Sequence, residues 1–337
     1  KTKEPSFTQN WLSNNKNNIA QLIVQAREVN KFHGTFLSSI MKYQVNGRIH
    51  GEIQQLRSDT GGTVSGRLSM SNPNLQQVPA RNKDFGPKIR SLFIPEEGYK
   101  WGSFDYSQQE PRMTVHYAAS IGDGYEGSNE LVQAYQNASA DFHQTVADLV
   151  GIERSQAKTI GLGLMYGMGK GKLALSLGVS KDEADELIVK YNRKVPFVKK
   201  LSDRCKFAAD EKGVIRTKKG RKCRFDMWET KDFGLHVAEK FEDAVAKYGK
   251  DNIKRAYTYK ALNRLIQGSS ADQTKQAMLN CYNAGHLPML QIHDELCFNI
   301  KDEAHANEIK KIMETAIEFK VPSVVDKGLG ESWGDAK

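Results

Sequence analysis

The sequence predicts an α+β fold, and three patterns support this class. Residues 99–106 are rich in Tyr, Trp and Phe, which is typical of a β-strand. Apolar and polar residues alternate on both sides of residues 293–294, a pattern that predicts two strands joined by a hairpin turn. Residues 181–190 and 233–248 carry apolar residues at helical spacing instead, so the middle of the chain is predicted to be helical.

The predicted strand at 99–106 ends in a carboxylate. Ser107 is followed three residues later by Glu110, the pattern of a helix N-cap with a capping box, so Asp105 is expected where the strand passes into a helix. Pro111 fits the first turn of such a helix. Taken alone, an Asp in this place is more often a turn former or a helix cap, and Glu110 is more often a capping residue than a substrate contact.

The second acidic segment, QIHDELCF, covers residues 291–298 and places His293 and Asp294 in the predicted hairpin turn. By itself such a turn is most often solvated. If its strands neighbour the strand at 99–106 in one sheet, Asp105 and Asp294 can share a pair of Mg²⁺ ions about 3.5–4 Å apart. One ion would activate an attacking hydroxyl and the other would stabilise the leaving oxygen, and hydrolysis and polymerisation would both use such a site.

A basic segment, RSQAKTIGLGLMYG, lies between the two acidic ones. Its i, i+4, i+8 spacing places Arg154, Lys158 and Leu162 on roughly one helical face, with Tyr166 at the edge. Two cations aligned in this way can hold a triphosphate while an apolar side chain and an aromatic ring meet the base and sugar. A solvated basic face is the simpler alternative for this segment alone. The three segments in this order are far more specific than any one of them.

These segments resemble motifs A, B and C of the family A DNA polymerases, the group of bacterial DNA polymerase I. DYSQQEPR is similar to motif A, the basic segment to motif B, and QIHDELCF to motif C. Further stretches are similar to the family's primer-template segment, to the stretch that supplies a nucleotide-binding His, and to the helix before motif C, namely residues 65–81, 140–151 and 263–272. The resemblance extends from about residue 20 to the C-terminus.

The resemblance implies template-directed addition of deoxynucleotides to a primer 3′ end, with release of pyrophosphate. The implied cofactor is a pair of Mg²⁺ ions, for which Mn²⁺ can substitute, and the implied partners are primer-template DNA and dNTPs. The implied catalytic residues are Asp105, Asp294 and Lys158, with Lys158 as a candidate proton donor to pyrophosphate. The implied metal ligands are Asp105, the backbone carbonyl of Tyr106 and Asp294, with Glu295 supporting the site.

The resemblance also implies two sets of binding residues. The substrate-binding set is Gln108, Glu110, His143, Arg154, Lys158, Leu162 and Tyr166. The DNA-binding set is Arg67, Gln76, Arg81, Asn263, Gln267 and His293, whose contacts would fall mainly on the minor groove, where all base pairs share acceptors. Glu110 would act as a steric gate below the sugar, hydrogen-bonded to Tyr166, so that a 2′-hydroxyl is excluded.

Three positions depart from the family pattern. Leu162 stands where motif B usually carries Phe or Tyr, a position that the resemblance links to tolerance of dideoxynucleotides, and Leu cannot stack on a sugar. Tyr259 replaces an Arg often found one turn before Asn263, and Pro111 stands where motif A normally has Leu. None of these departures removes a catalytic carboxylate. We therefore expect activity with altered selectivity.

With the family as a guide, residues 1–45 are expected to form the base of a thumb, residues 46–115 and 259–337 the palm, and residues 116–258 the fingers. The resemblance thus implies a right-hand polymerase with an antiparallel-sheet palm, mainly helical fingers and a truncated thumb. No exonuclease site is expected in the first 45 residues. The chain could be a fragment or one piece of a split polymerase, with a processivity factor or a separate exonuclease subunit as a partner.

Composition agrees with this interpretation without deciding it. A formal net charge of +9 over 337 residues favours a polyanionic partner, although many basic proteins bind no nucleic acid. Six cations crowd residues 216–224 and predict a basic hairpin that either contacts the template or is merely solvated. The four cysteines form no C-x-x-C pair, which indicates reduced structural thiols.

No stretch approaches the roughly 20 apolar residues of a membrane span, and the N-terminal segment lacks the apolar core of a signal peptide. We therefore expect no membrane association and a cytoplasmic location, either in a bacterial cell or in a phage-infected host.

Two rival functions are weighed. A single-subunit RNA polymerase-like enzyme shares the same chemistry but lacks a bulky steric gate, so Glu110 followed by Arg112 favours deoxynucleotides. A catalytically decayed nucleic-acid-binding protein is the other rival. The acidic pair and the two cations of motif B are all intact, which counts against decay.

Overall fold

The computed structural model describes residues 7–59, 61–79, 82, 84–137, 141–232, 234 and 236–336. Arg81 and Phe233, both named in the sequence predictions, lie outside the described residues. A strand-containing part at each end of the chain flanks a long, mainly helical middle. The predicted α+β class is therefore confirmed.

The α-helices are α1 (Gln9–Asn14), α2 (Asn18–Lys31), α3 (Ser39–Lys42), α4 (Gly86–Arg90), α5 (Gln109–Ala119), α6 (Ser128–Ala134), α7 (Phe142–Val150), α8 (Arg154–Met165), α9 (Lys170–Leu177), α10 (Lys181–Lys194), α11 (Pro196–Lys212), α12 (Phe241–Tyr248), α13 (Ala261–Asn283) and α14 (Glu303–Glu314). The strands are β1 (Gln44–Val45), β2 (Arg48–Ile49), β3 (Glu52–Gln54), β4 (Ser69–Ser71), β5 (Lys100–Tyr106), β6 (Val214–Arg216), β7 (Lys222–Arg224), β8 (Trp228–Thr230), β9 (Ile253–Arg255), β10 (Leu290–Ile292), β11 (Glu295–Ile300) and β12 (Val325–Gly330). A π-helical stretch, Phe32–Ser38, joins α2 to α3.

Four antiparallel strands form the main sheet, in the order β10–β11–β5–β12. β5 is the strand predicted at residues 99–106, and β10 with β11 is the predicted hairpin, turning at His293 and Asp294. The two acidic segments therefore lie on neighbouring strands. This meets the condition that the sequence set for a shared site.

The two faces of this sheet have different surroundings, because side chains alternate along each strand. Phe104 on β5 and Phe298 on β11 pack against α13 and α14 in one apolar cluster. Trp101 and Cys297 point the other way and pack in a second cluster. Burying each such aromatic side chain contributes roughly 1.5–3 kcal/mol. Asp105 belongs to the face opposite the helices by the same alternation, so the helical cover leaves it accessible.

The helical middle of the chain has its own apolar core, which α5, α7, α8 and α11 share with the first turns of α13. α13 has 23 residues and is therefore about 34 Å long. It packs on α5 and α11 and continues beneath the main sheet to α14. This helix connects the strand-bearing part of the chain to the helical part.

The helix predicted from residue 181 is confirmed as α10, and the basic hairpin around residue 220 is confirmed as β6 and β7. The helix predicted at 233–248 is wrong in its first half, since α12 begins only at Phe241. Glu239 exchanges two backbone hydrogen bonds of 2.8 Å with Trp228, so this residue pairs alongside β8 instead of entering a helix.

The predicted capping box at the start of α5 is also wrong. α5 begins at Gln109, and its N-cap is Gln108, which has a left-handed backbone with φ of 50° and makes no capping hydrogen bond with its side chain. The Glu110 carboxylate binds distant partners instead of the helix terminus. Tertiary contacts therefore displaced the local capping interaction that the Ser107 and Glu110 spacing suggested.

Over the described part of the chain, the helices are all too short or too polar to cross a membrane. All four cysteines are free and buried.

Candidate active site

The two predicted catalytic aspartates lie close together at one end of the main sheet. In the β11–β5 register, Glu295 stands opposite Asp105, and the Tyr106 amide donates a 3.3 Å hydrogen bond to the Asp294 carbonyl. Asp294 lies in the tight turn between β10 and β11, where His293 adopts a left-handed backbone with φ of 56°. Backbone pairing thus brings together two acidic residues that are remote in sequence.

The carboxylates of this cluster repel one another. Although solvent reaches Asp105, surrounding protein atoms desolvate its carboxyl and raise its pKa, and the charges of Asp294, Glu295 and Asp326 add to that rise. Burial likewise raises the pKa of Asp294, and the Arg67 cation opposes that rise. Carboxylates crowded in this way favour a bound cation over mutual repulsion. The donor set therefore fits a divalent metal.

Oxygen donors are the ligands that Mg²⁺ prefers, and it is usually held by only one or two carboxylates together with waters and substrate phosphates. In the parts of the chain that the structure describes, no three Asp, Glu, His or Cys side chains converge into a complete metal-binding cluster.

The side chains of Glu295 and Tyr106 are both held by hydrogen bonds, Glu295 within the sheet and Tyr106 on α14. The Ser103 hydroxyl donates to Glu295 Oε1, and the Cys297 thiol lies 3.5 Å from the same oxygen. The Tyr106 hydroxyl is buried and donates a 2.6 Å hydrogen bond to the Met313 carbonyl. The Tyr106 side chain is thereby directed away from the carboxylates, so only its backbone is available to the site.

Glu110 connects the acidic cluster to the basic helix. Its Oε1 accepts a 2.7 Å hydrogen bond from Arg67 Nη2, and its Oε2 accepts a 2.6 Å bond from the Tyr166 hydroxyl at the end of α8. The Glu110 side chain is buried, and Gln267 on α13 also hydrogen-bonds to Tyr166. Burial, followed by the adjacent Glu110 charge, raises the pKa of Tyr166, so the phenol stays protonated as a donor.

The cations of α8 are more exposed. Arg154 donates to Asp141 Oδ2 through Nε at 2.8 Å and Nη2 at 2.6 Å, and Lys158 is exposed one turn further along. Leu162 is half-buried on the same face, and Tyr166 follows the helix as its C-cap. The structure thus places the four predicted residues of this segment along one side of α8.

His143 lies on the neighbouring helix α7, which packs against α8. Asp141 caps α7 by accepting from the backbone amide of His143 at 2.8 Å, and the same Asp141 binds Arg154. The His143 ring is buried, and within the described chain its Nδ1 has no hydrogen-bond partner. Burial lowers the pKa of His143 to about 4; Asp141 opposes this shift, and the Lys158 and Arg154 cations reinforce it.

Gln108 and Arg112 have structural contacts that sequence reasoning missed. Gln108 Oε1 accepts from the Phe142 amide at 2.9 Å, which ties the turn after β5 to α7. Arg112 is buried, donates from Nε to the Ser107 carbonyl at 3.0 Å, and stacks 4.4 Å from the ring centre of Tyr135. The only sequence signal was the position of Arg112 inside motif A. Both residues hold the turn that follows Asp105.

The residues predicted to bind DNA fall into two groups. Arg67 and His293 line one small cavity beside Gln291, and Gln76 Nε2 donates to Gln291 Oε1 at 3.0 Å. The second group, Asn263 and Gln267, lies one turn apart on α13, and Gln267 reaches Tyr166. Arg81 is outside the described residues.

The basic hairpin of β6 and β7 is docked on α13. Arg221 binds Asp272 Oδ1 through Nε at 2.6 Å and Nη2 at 2.5 Å, and Thr217 donates to Asp272 Oδ2 at 2.6 Å. Asp272 is buried, and sequence reasoning gave it no role. Arg221 is therefore structural, and Lys218 also donates to the Glu318 carbonyl, whereas Arg216, Lys222 and Arg224 are exposed.

Comparisons with known proteins identify the family. The family model for DNA polymerase family A matches residues 1–335. The chain is 39% identical to a DNA-directed DNA polymerase of Pseudomonas phage M6, over 98% of this chain and 54% of the relative. It is 32% identical to DNA polymerase I of Pseudomonas aeruginosa, over 94% of this chain and 33% of the relative. The chain thus spans about half or less of the curated relatives that it matches.

A solved structure is similar along the whole chain. The POL domain of Pol1 from M. smegmatis, in complex with DNA primer-template and dNTP, aligns with a TM-score of 0.79 and 26% identity, over 100% of this chain and 58% of that one. This likeness confirms the right-hand polymerase fold that the motifs predicted, with its antiparallel sheet and mainly helical partner region. The chain belongs to DNA polymerase family A.

Proposed function

We propose that this member of DNA polymerase family A adds deoxynucleotides to the 3′ end of a primer, as directed by a template strand, and releases pyrophosphate. One observation supports this most. The register of β5 and β11 brings Asp105 and Asp294 together, and Glu110, from the helix that follows β5, binds Tyr166 at the end of the basic helix α8. Acidic and basic groups suited to phosphoryl transfer therefore belong to one connected site.

The acidic cluster would hold two Mg²⁺ ions, or Mn²⁺ in their place, through Asp105, Asp294 and the Tyr106 carbonyl, with Glu295 in support. When bound, such ions lower the pKa of an attacking hydroxyl and neutralise charge on the leaving oxygen. The protein's own contribution is position, since both aspartates are fixed by backbone pairing in the sheet. Repulsion among the neighbouring carboxylates favours the loaded state.

Arg154, Lys158 and His143 would contact the incoming triphosphate. Arg154 shares its guanidinium with Asp141 and can present its remaining N–H donors to phosphate oxygens. Lys158 is exposed and has a flexible stem, so it can follow the leaving pyrophosphate and donate a proton to it. Gln108 would then bind substrate in addition to its tie to Phe142.

Glu110 would select the sugar. Its carboxylate is held from both sides by Arg67 and Tyr166, at 2.7 and 2.6 Å, so it cannot swing away from a 2′-hydroxyl without losing charge-assisted hydrogen bonds. Leu162 would offer the sugar only apolar contact.

Primer-template DNA is the proposed macromolecular partner. Arg67, Gln76, Asn263, Gln267 and His293 would line its minor groove, together with Arg81. Their amide and cationic donors suit acceptors that all base pairs present there, which permits a check of shape without reading sequence. A thumb base at residues 1–45, fingers at 116–258 and a palm from the rest is the proposed division.

Two further proposals concern additional partners and the location. A processivity factor or a separate exonuclease subunit is a proposed additional partner. Because the relatives include phage and bacterial polymerases, the cytoplasm of a bacterial cell or of a phage-infected host is the proposed location.

A primer-extension assay tests the function. The protein is incubated with a labelled primer-template and Mg²⁺, with dNTPs in one arm and rNTPs in another. We expect extension with dNTPs and little with rNTPs. Efficient rNTP use would favour the RNA polymerase-like alternative, and DNA binding without any extension would favour the decayed binding protein.

A further inference from the structure

The ion pair between Arg221 and Asp272 is held rigidly. Asp272 lies on α13 with its side chain only 7% exposed, and its Oδ1 accepts from Arg221 Nε at 2.6 Å and Nη2 at 2.5 Å. The Thr217 hydroxyl donates to Asp272 Oδ2 at 2.6 Å and accepts from the Arg221 amide at 3.1 Å. Charge-assisted hydrogen bonds to both oxygens of a buried carboxylate fix the geometry of their donors. The Arg221 guanidinium is therefore fixed in the turn between β6 and β7.

This fixed guanidinium packs on the backbone of Gly66. A methyl group placed on Gly66 would lie 2.6 Å from Arg221 Nη1 and 2.8 Å from Arg221 Cζ, and Gly66 has a left-handed backbone with φ of 85°. On the other side, a methyl group placed on Gly268 of α13 would lie 3.4 Å from the Ser65 carbonyl oxygen. Residues 65 and 66 therefore lie between Arg221 and α13. Both the close approach and the backbone angle require a glycine at position 66.

Arg67 follows Gly66 directly and connects this packing to the candidate active site. The Arg67 carbonyl accepts from the Thr63 hydroxyl at 2.8 Å, and Arg67 Nη2 donates to Glu110 Oε1 at 2.7 Å. The direction in which the Arg67 side chain leaves the backbone depends on where the preceding residue is held. Through Gly66 and Arg67, the position of Arg221 is thus linked to the position of the Glu110 carboxylate.

We propose that the Arg221–Asp272 pair positions the residues that select the sugar. By holding Gly66, the pair keeps Arg67 directed at Glu110, so that the Glu110 carboxylate stays below the sugar of the incoming nucleotide. Groups that discriminate between substrates must be held to within about 0.5 Å by the residues behind them. Neither Arg221 nor Asp272 needs to touch the nucleotide for this role. The inference rests on the proposed function, which assigns sugar selection to Glu110.

Single-nucleotide kinetics on a primer-template tests the link between Arg221 and Glu110. The measured quantity is the ratio of kcat/KM for rNTP and dNTP in the wild type, Arg221→Ala, Glu110→Ala and the variant that combines both changes. Arg221→Ala leaves Asp272 buried without its cation, which is strongly destabilising. An Arg221→Met/Asp272→Leu variant, which removes both charges together, is therefore measured beside it and replaces it if Arg221→Ala does not fold.

Arg255→Ala is the matched control. The Arg255 guanidinium also packs on a glycine with a left-handed backbone, since a methyl group placed on Gly213 would lie 2.6 Å from Arg255 Cζ. Its Nε and Nη1 donate to the carbonyls of Asp210 and Phe225, at 3.2 and 2.9 Å. Removing Arg255 thus disrupts the same kind of packing at a glycine that does not precede Arg67.

We expect Arg221→Ala to weaken the discrimination against rNTP by at least about 3-fold, which is within the coupling range of residues that share one network. In the Glu110→Ala background the same change should not alter the ratio further, because the carboxylate that Arg221 positions is absent. Arg255→Ala should keep the wild-type ratio. A wild-type ratio in Arg221→Ala, or an equal change with and without Glu110, would overturn the link and leave the proposed function standing.

Urea unfolding tests the same link without catalysis. If Arg221 holds Arg67 against Glu110, the losses of stability in Arg221→Ala and Glu110→Ala should be less than additive in the combined variant, whereas those of Arg255→Ala and Glu110→Ala should add. Absence of primer extension by the wild type would reject the proposed function, and the unfolding measurements would then decide the link by themselves. Additive losses for Arg221 and Glu110 would overturn it, and losses below additivity would support it.

Discussion

The acidic and basic halves of the site are held in place by different means. Asp105 and Asp294 are positioned by backbone pairing between β5 and β11, on a sheet buried under two helices. Arg154 and Lys158 are positioned by their spacing along α8, with Arg154 also bound to Asp141, and both side chains are exposed. A sheet register fixes backbone positions firmly, whereas long cationic side chains keep their rotamer freedom.

This difference matches the different demands of metal-binding carboxylates and phosphate-binding cations. Carboxylates that share metal ions must keep a fixed separation, since small errors in ligand geometry are costly. Phosphate-binding cations tolerate movement because their charge acts over several ångströms. Glu110 joins the two halves through Tyr166, so the exposed helix is tied to the rigid sheet at one defined point. The predictions below change the rigid half, the exposed half and the junction in turn.

The largest effect is expected in the rigid half. Asp105→Asn or Asp294→Asn should lower extension by more than about 100-fold, because loss of a direct ligand exceeds the 10- to 100-fold cost typical of outer metal partners. DNA affinity should change little, since it comes mainly from dispersed Lys and Arg. Single-turnover extension and Kd are measured for each variant. Near-normal extension by either variant would contradict the assignment of Asp105 and Asp294 as metal-binding catalytic residues.

In the exposed half, Lys158→Ala should lower kcat/KM for dNTP by roughly 10- to 100-fold, the range expected when a charged group's hydrogen bond to phosphate is lost. Lys172→Ala, an exposed lysine on α9, is the matched control. Steady-state kinetics over a range of dNTP concentrations gives the two constants. An unchanged kcat/KM would show that this face of α8 does not meet the triphosphate.

At the junction, Glu110→Ala should admit ribonucleotides about 10-fold more readily, because it opens the space that a 2′-hydroxyl needs. Use of dNTP should also fall, since Arg67 and Tyr166 both lose their charged partner. The measurement is the ratio of kcat/KM for rNTP and dNTP in single-nucleotide kinetics. Glu110→Gln, which retains the bulk, should keep most of the discrimination; an unaltered ratio in the Ala variant counts against a steric gate.

A smaller effect is expected at Leu162, midway along the exposed face. The wild type should discriminate against dideoxynucleotides, and Leu162→Tyr should improve their use several-fold with little change for dNTPs, because the added phenol can compensate for a missing 3′-hydroxyl contact. Leu162→Met serves as an apolar control. If both variants keep the wild-type ratio of kcat/KM for ddNTP and dNTP, Leu162 does not face the sugar.

The smallest effect concerns the stability of the fold behind the site. His116 on α5 is buried, and its Nδ1 accepts from the Lys320 amide at 3.1 Å. Burial, followed by the Lys218 and Lys320 cations, lowers the pKa of His116 from 6.5 to about 4. Since the folded pKa is depressed, its stabilising contribution is complete above pH 6.5 and is lost as pH falls through about 4.

We therefore expect His116→Asn to lose less stability than the wild type on acidification, by a difference on the order of 1 kcal/mol. Each pKa unit corresponds to at most about 1.4 kcal/mol, and relaxation and water penetration reduce that figure. Urea unfolding at pH 7 and pH 4.5 measures the difference, with exposed His50→Asn as control. Equal losses of stability in the wild type and His116→Asn would show that His116 does not contribute to the acid sensitivity.

Much of the fold could be predicted because the signals were local. Aromatic residues typical of strands predicted β5, alternation predicted the β10–β11 hairpin, and helical spacing predicted α8 and α10. The local predictions were wrong where contacts between residues far apart in the chain replaced the local interactions. The Glu110 carboxylate binds Arg67 and Tyr166 instead of capping α5. Glu239 pairs with the backbone of Trp228 and is not part of α12.

By itself, the sequence determined which charged groups exist, their order along the chain and the local elements that carry them, because strand and helix periodicities depend on near neighbours. The tertiary structure alone decided that Asp105 stands across from Glu295, that Arg221 is bound to the buried Asp272, and that Tyr259 packs on Gly167. Each of these pairs joins residues far apart in the chain. Their contact depends on the packing of whole elements around a shared core, which no local pattern encodes.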